Sequence, residues 1–427
     1  MAAEEPRTKI LQWNLNGLRS RLPRLQYLVS EFQPKILALQ EHKLNNVSLN
    51  YFRGFNLYTY CRPMAGGGGV CLAISNTIPS TRITLNTNLE AVACKVYFND
   101  FTLHICNEYF NDEADITNNS LTNLIDNIPF PKLILGDFNG HHPSWGSPVS
   151  NQRGDVIYNT FLNKNLHVLN DGSPTFYRAF QDQYSHLDLA FCSNGISDSF
   201  DWRVYHDRLS SDHFPIFIDY KIKEIYTTKL PKWKFAEANW RTYHNTVSLP
   251  DQIADCNIYY SNIITSILNA CSSSIPKTGT KINNKYSCFW WTPECKQALS
   301  NAKRQFRILQ RFHCPANVVE YRRLDAIATR TLLEAKNVSF KNYLSTVNKD
   351  TFLTKLWRVI NSLSGKRSPV RRITLSINNV EVSEPRILAH EFGLFFSNIS
   401  SDNNYSEDFL LHKIEEESTP IFSAIRR

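Results

Sequence analysis

Five short polar clusters follow one another along the first half of the chain: Trp13-Asn14-Leu15-Asn16-Gly17, Leu39-Gln40-Glu41, Gly136-Asp137-Phe138-Asn139, His186-Leu187-Asp188 and Ser210-Ser211-Asp212-His213. Together they supply the carboxylates Glu41, Asp137, Asp188 and Asp212, the amides Asn14, Asn16 and Asn139, and one histidine, His213. Carboxylate oxygens suit a hard divalent cation. Carboxamides hold a bound water or a phosphate oxygen without adding charge. An imidazole backed by a carboxylate has a fixed tautomer and a raised basicity. This inventory fits metal-assisted cleavage of a phosphodiester.

Residues so far apart share a site only if the fold carries them to one place. Each cluster borders an apolar run that reads as a buried strand, and strand ends can aim side chains into one cleft. Strands are predicted over 9–13, 35–39, 70–74, 91–98, 101–106, 132–135, 187–192, 201–206 and 214–220, with a hairpin turn at Asn99-Asp100. Leu22, Leu25, Leu28 and Val29 recur at the spacing of one helical face within 20–32, and further helices are predicted over 115–128 and 155–163. The glycine run 66–69 precedes a strand and lacks the Gly-Lys-Ser/Thr of a phosphate loop, so it reads as a hairpin turn. Many short strands with interleaved helices predict packed sheets flanked by helices.

In this order the clusters resemble those of the exonuclease–endonuclease–phosphatase superfamily, and within it the endonuclease domain of a non-LTR, jockey-like retrotransposon polyprotein. The likeness runs over residues 7 to about 220, and the stretch from Gly136 to Ser147 is its most specific part. Residues 230–370 resemble, more loosely, the segment that joins such an endonuclease to a reverse transcriptase. The resemblance implies a four-layer α/β sandwich, two mostly antiparallel sheets flanked by helices, followed by a basic helical extension. It implies Mg²⁺ or Mn²⁺ as cofactor, with Glu41, Asn14 and Asp212 at the metal. It assigns catalysis to Asp137, which aligns or deprotonates a water, to Asn139, to the pair Asp188 and His213 facing the scissile phosphate, and to Tyr109 as a phosphate contact. The implied activity is nicking of double-stranded DNA to leave a 3′-hydroxyl primer for target-primed reverse transcription, in the nucleus after synthesis in the cytoplasm.

Each of these residues also has a plainer reading. Most glutamates are surface acids. Asn14 and Asn16 suit an Asx turn before Gly17, and Gly136-Asp137 and Asn139-Gly140 are turn formers. Tyr109 could be a core aromatic. The stretches His141 to Ser147 and Asp171 to Tyr184 are candidate DNA-facing loops, with Trp145 a candidate substrate contact and anchoring of its own loop the slightly favoured alternative. His42, next to Glu41, is given no role.

Charge divides the chain unevenly. The net charge is +8, yet residues 285–372 hold eighteen Lys/Arg against five Asp/Glu, so the remainder is mildly acidic. A metal-binding catalytic part joined to a polyanion-binding part fits this division. Thr292-Pro293-Glu294 is a helix start. Leu299, Ala302, Phe306 and Leu309 continue it, and Tyr321, Leu324, Ala328, Leu332 and Ala335 form a second face after Pro315. A third helix is predicted between Asp350 and Gly365. Arg304 and Arg307 are candidate phosphate contacts, to DNA or to RNA; the bland alternative is a solvated helix surface over an aromatic core. The domains are drawn as 7–222 catalytic, 223–235 linker, 236–372 basic helical and 373–427 a partly disordered tail.

The ten cysteines form no C-x-x-C pair, which fits reduced thiols rather than a zinc site. No apolar run reaches the length of a membrane span, and no secretory leader is visible. Two other functions fit parts of the pattern: a cellular abasic-site endonuclease or phosphodiesterase, and a catalytically idle, domesticated nucleic-acid-binding protein. Absence of a Tyr/Phe-Ala-Asp-Asp polymerase signature means this chain is not expected to reverse transcribe.

Overall fold

The two leading apolar strands, β1 (Thr8–Asn14) and β2 (Ile36–Gln40), are buried almost throughout and pair in parallel across the connecting helix α1 (Leu18–Phe32). The structure, a computed structural model, describes residues 7–45, 52, 54–62, 67–98, 101–111, 113–179, 181–222, 231–248, 255–278, 288–347, 375–377, 380–382 and 385–418. After β2 the chain adds β3 (Phe55–Tyr60) and β4 (Val70–Ser75). It then builds a second sheet from β5 (Ser80–Ile83), β6 (Glu90–Tyr97), β7 (Thr102–Tyr109), β8 (Lys132–Asp137) and β9 (Leu166–Val168). A small ribbon, β10 (Phe176–Arg178) with β11 (Gln183–Ser185), precedes β12 (Asp188–Ser193), which joins the second sheet. Strands β13 (Phe200–Val204) and β14 (Ile216–Tyr220) return to the first. The strand orders are β13-β14-β1-β2-β4-β3 and β5-β6-β7-β8-β12-β9.

Each sheet holds one parallel pair, β1 with β2 and β7 with β8, among antiparallel neighbours. An inner apolar layer including Ile10, Ile36, Ile74, Val96, Ile105, Leu133, Ala190 and Ile216 packs sheet on sheet. On the far side of the second sheet, α2 (Asn118–Asp126) and α3 (Gln152–Asn163) bury Leu121, Leu124, Ile157 and Phe161 against Phe138 and Phe191. On the far side of the first, Phe32 of α1 meets Phe217 at 4.7 Å between ring centres. The result is the expected four layers, helix, sheet, sheet, helix.

Amides bolt the two sheets together toward the site. Gln12 Nε2 donates to Gly136 O (2.9 Å), Gln40 Nε2 to Asn107 Oδ1 (2.5 Å), and Asn107 Nδ2 to Leu39 O and Cys71 O (both 3.0 Å). Gly136 is confined to glycine: a Cβ there would lie 2.1 Å from Glu108 O.

Glu108 is fully buried, and neither carboxyl oxygen has a hydrogen-bond partner among the described residues. Burial pushes its pKa well above the ordinary carboxylate range. The folded state then keeps a proton that the unfolded chain releases above its own, lower pKa. The raised folded pKa therefore makes stability fall with rising pH until the folded group itself ionises. Glu108→Gln should remove this slope. The stability difference between parent and variant should shift by up to about 1.4 kcal/mol per pH unit between pH 5 and 8. Parallel melting-temperature profiles over that range would refute a neutral buried Glu108.

By density of contacts the chain forms two compact units, residues 1–224 together with 288–427, and residues 225–287. The smaller unit holds α4 (Trp240–Thr246), capped by Asn239, and α5 (Cys256–Ser274), capped by Asp255, with Lys277 over the Trp233 ring. In the larger unit α6 (Pro293–Arg311) and α7 (Pro315–Ser345) form an antiparallel hairpin, with Thr292 as the α6 N-cap and a proline opening each helix. The hairpin packs on the sandwich: Trp291 stacks on Tyr27 (4.8 Å) and Arg24 pairs with Asp325 (2.7 Å). Charge counting registers only its solvent face. In the tail, β15 (Leu375–Ile377) pairs with β16 (Val380–Val382), and α8 (Pro385–Ile399) and α9 (Glu407–Ser418) follow. The predicted helix between Asp350 and Gly365, the turn at Asn99-Asp100 and Gly66 lie outside the described residues.

Candidate active site

Topology explains why the polar clusters meet. The carboxyl ends of β1, β2, β7 and β8 lie at one edge of the sandwich, because the parallel pairs run that way in both sheets. β12 is antiparallel to β8, with Asp188 opposite Asp137, and β14 is antiparallel to β1, so both enter the sheets at the same edge. Asn14, Glu41, Tyr109 and Asp137 thus leave strand ends where Asp188 and His213 arrive. Several of these ends turn through left-handed backbone: Asn16 (φ 46°), Glu41 (φ 46°), Asn139 (φ 48°) and Ser210 (φ 62°). Such conformations are uncommon for residues other than glycine and cluster at functional sites.

Asp188 and His213 form the best-defined pair. His213 Nδ1 lies 2.8 Å from Asp188 Oδ2, and its Nε2 is 3.7 Å from Asp137 Oδ2, all three residues being almost fully buried. Burial opposes charge on the imidazole, but Asp188 and Asp137 on either side outweigh it and raise the pKa of His213 above its ordinary value. Burial, aided by Asp188, raises Asp137 against the pull of His213. Trp13 Nε1 donates to His213 O (3.1 Å) and Ser211 Oγ accepts from His213 N (3.2 Å), so the backbone of His213 is held by β1 and by its own loop.

Glu41, Asp137 and His213 each bring one ligand atom into a group whose members lie within 4.8 Å of one another. Glu41 accepts from Asn14 Nδ2 (3.0 Å), pairs with Lys43 Nζ (2.9 Å), and receives a hydrogen bond from the Tyr109 hydroxyl. Burial opposes its charge, yet Asn14 and Lys43 hold its pKa below the ordinary value. Two clustered carboxylates, one held ionised at the cleft, fit a hard divalent cation. Burial, with Glu41 and Asp137 nearby, raises Tyr109, which stays a neutral hydroxyl.

Some expected roles change. Asn14 Oδ1 accepts from Asn16 N (2.9 Å), and Nδ2 donates to both Glu41 and Asp137 (2.8 Å). Asn14 therefore orients the two carboxylates, and its oxygen also closes the turn. Asp212 lines the cleft but stands outside the close group; Asn16 Nδ2 donates to both its oxygens (3.1 and 3.0 Å). Burial opposes its charge, but His213 and Asn16 keep its pKa low. Asn16, expected at the substrate, has its amide engaged by Asp212 and by Lys43 (2.6 Å). Asn139 donates to Phe110 O (2.9 Å) and lines the cleft.

Trp145 has no open face. It is fully buried under α3, donating from Nε1 to Gly140 O (3.2 Å), so the substrate contact is withdrawn and the loop is pinned to the core instead. Trp145→Ala should cost about 3–5 kcal/mol, checked by chemical denaturation; a loss under 1 kcal/mol would contradict core anchoring. Arg304 and Arg307 are exposed on the solvent side of α6, and neither lines the cleft.

The cleft, about 400 Å³, is also lined by His141, Phe176, Arg178 and Gln183, which fall in the two stretches marked from sequence as candidate DNA-facing loops, and by Ser185, which lies just beyond them. Lys43 and Arg21 are residues the sequence reading missed, the latter donating to Asn16 O and Ser210 O (both 3.0 Å). A lysine two residues beyond Glu41 was the one available signal for these.

Residues 103–217 match the family model described as endonuclease-reverse transcriptase. Over these residues the chain is similar to an endonuclease-type domain of this family. Over 219 residues the chain is 27% identical to a probable RNA-directed DNA polymerase from transposon X-element of Drosophila melanogaster, a match covering 49% of this chain and 24% of that protein. It is 24% identical to the RNA-directed DNA polymerase from mobile element jockey of the same organism, covering 50% and 24%. The matched segment thus spans about a quarter of the length of these relatives. Among solved structures, the endonuclease domain of TRAS1, a telomere-specific non-LTR retrotransposon, aligns at a TM-score of 0.45 and 23% identity, covering 51% of this chain and all of that one. An AP endonuclease from Archaeoglobus fulgidus aligns at 0.41 and 18%, covering 50% and 100%. No helix among the described residues is long and apolar enough to cross a membrane.

Proposed function

We propose that this chain is a Mg²⁺-dependent endonuclease that nicks double-stranded DNA, leaving a 3′-hydroxyl from which a non-LTR retrotransposon primes reverse transcription in the nucleus. One observation carries the reading: the convergence of Glu41, Asp137 and His213 at one sheet edge, with Asp188 behind the imidazole.

Glu41 would hold the cation, which when bound supplies charge stabilisation for the leaving oxygen. His213, kept cationic between two carboxylates, meets negative charge developing on the phosphate. Asp137, raised by burial, accepts the proton of an attacking water, and Asn139 and Tyr109 orient water and phosphate. Asn14 and Asn16 hold the carboxylates in place. The exposed Arg304 and Arg307 offer sequence-independent phosphate contacts, to DNA or to the element's RNA.

The test is incubation of the purified chain with supercoiled plasmid and Mg²⁺. Open-circular product whose nick a DNA polymerase extends without processing is the expected result. No nicking with either Mg²⁺ or Mn²⁺ would overturn the reading, and cleavage confined to abasic-site duplex would replace it with a repair function.

A further inference from the structure

The ribbon β10–β11 has two working faces. Side chains alternate along a strand, so Phe176, Arg178, Gln183 and Ser185 line the cleft, while Tyr177 and Tyr184 point away from it. That rear face rests on the helical hairpin. Tyr177, Phe214, Phe306, Leu309, Val318 and Tyr321 form one buried cluster, with Tyr177 and Phe306 ring centres 5.8 Å apart.

Arg208 lies at the centre of this junction. Its buried guanidinium sits over the rings of Tyr177 (5.0 Å), Phe306 (4.8 Å) and Tyr321 (5.5 Å), and NH1 donates to Tyr177 O (3.3 Å). Arg208 opens the segment that ends in Asp212 and His213. Tyr177 N donates to Asp212 O (2.9 Å), and the Phe176 ring lies 4.8 Å from that of His213. At the far end of α6, Gln310 Nε2 donates to the Tyr184 hydroxyl (3.3 Å) and His313 Nε2 to Ala179 O (3.0 Å). The hairpin therefore touches both the ribbon and the loop bearing the histidine, without entering the cleft.

We propose that the α6–α7 hairpin is a positioning element of the nuclease: through Arg208 and the Gln310 and His313 tethers it sets the ribbon that lines the substrate side of the cleft. The working unit then extends beyond the sandwich to the end of α7. A surface helix pair carrying only affinity for polyanions would need none of these contacts. The tethers themselves are modest, neutral or weakly polar hydrogen bonds, but they lie where a small tilt of the ribbon moves Arg178 and Gln183 relative to His213.

This inference rests on the nuclease reading, so its test includes a measurement that needs no activity. The full chain is compared with Gln310→Ala/His313→Ala, both exposed positions, and with Arg208→Lys, which keeps the charge but loses the planar stack. Hydrogen exchange over residues 176–185 should become roughly tenfold faster in the double variant, the scale of one to two lost hydrogen bonds. On supercoiled plasmid, KM should rise and the distribution of nick positions should broaden, with kcat nearly unchanged. For Arg208→Lys, kcat should fall as well, because the loop of Asp212 and His213 loosens. Unchanged exchange and unchanged nick positions in the double variant would overturn the proposal, whether or not Arg208→Lys folds. Failure of the parent to nick would sink the nuclease reading, while the exchange result would still decide the positioning role.

Discussion

Plasmid nicking by His213→Ala is expected to fall by about 10³–10⁴-fold at saturating Mg²⁺. The imidazole is held by Asp188 at 2.8 Å and faces Asp137 at 3.7 Å, so the substitution removes the positive charge that these two carboxylates fix at this point of the cleft. The variant also leaves two buried carboxylates without their counter-charge. Removing one member of a buried ionic group costs roughly 3–5 kcal/mol, so the rate must be measured on protein shown to be folded by circular dichroism at the assay temperature. Asp188→Asn provides the companion: it retains a hydrogen-bonding group beside Nδ1 but removes the charge that sustains the imidazolium, and should lose less than His213→Ala. A folded His213→Ala variant nicking within tenfold of the parent would eliminate the charged-histidine mechanism.

Glu41→Gln is expected to lower nicking at least a hundredfold, through the metal rather than through the protein's shape. Glutamine fills the same volume and can still accept from Asn14, but it lacks the negative charge that both Lys43 and a divalent cation require. Titration calorimetry with Mg²⁺ alone should show heat of binding for the parent and a large loss of affinity for the variant. Raising the Mg²⁺ or Mn²⁺ concentration should recover part of the activity, which it should not do for His213→Ala. Metal binding unaffected by Glu41→Gln would move the cation elsewhere.

Much of this site was legible because its residues flank the most hydrophobic strands. Ile36–Gln40 and Lys132–Asp137 are buried along their length, and such runs announce themselves in sequence. The helices α1 and α6 were readable from their apolar spacing, and α6 also from the cap Thr292 followed by Pro293. Strands β3, β5, β9, β10 and β11 were not. β9, β10 and β11 have three residues each, too few for a period to show, and β5 is half exposed. Arg178 and Gln183 fall in a stretch marked as DNA-facing, but only the ribbon shows that they line the cleft. For Asn14, residue type allows either a ligand oxygen or an orienting NH₂ group, and only the structure shows that the NH₂ group reaches both Glu41 and Asp137. Phe306 was legible as part of an apolar helix face, and for Trp145 the reading that anchors its own loop is the one its burial fits.

The amides of Gln12, Gln40 and Asn107 span the sandwich just beneath the catalytic edge. One sheet carries Glu41 and His213 and the other carries Asp137 and Asp188, so sliding the sheets would pull the reactive groups apart without unfolding either one. These three side chains act as dowels against that shear. On the proposed nuclease function, exchanges at Gln12, Gln40 and Asn107 should impair cutting as firmly as exchanges at the cleft, although all three side chains are fully buried.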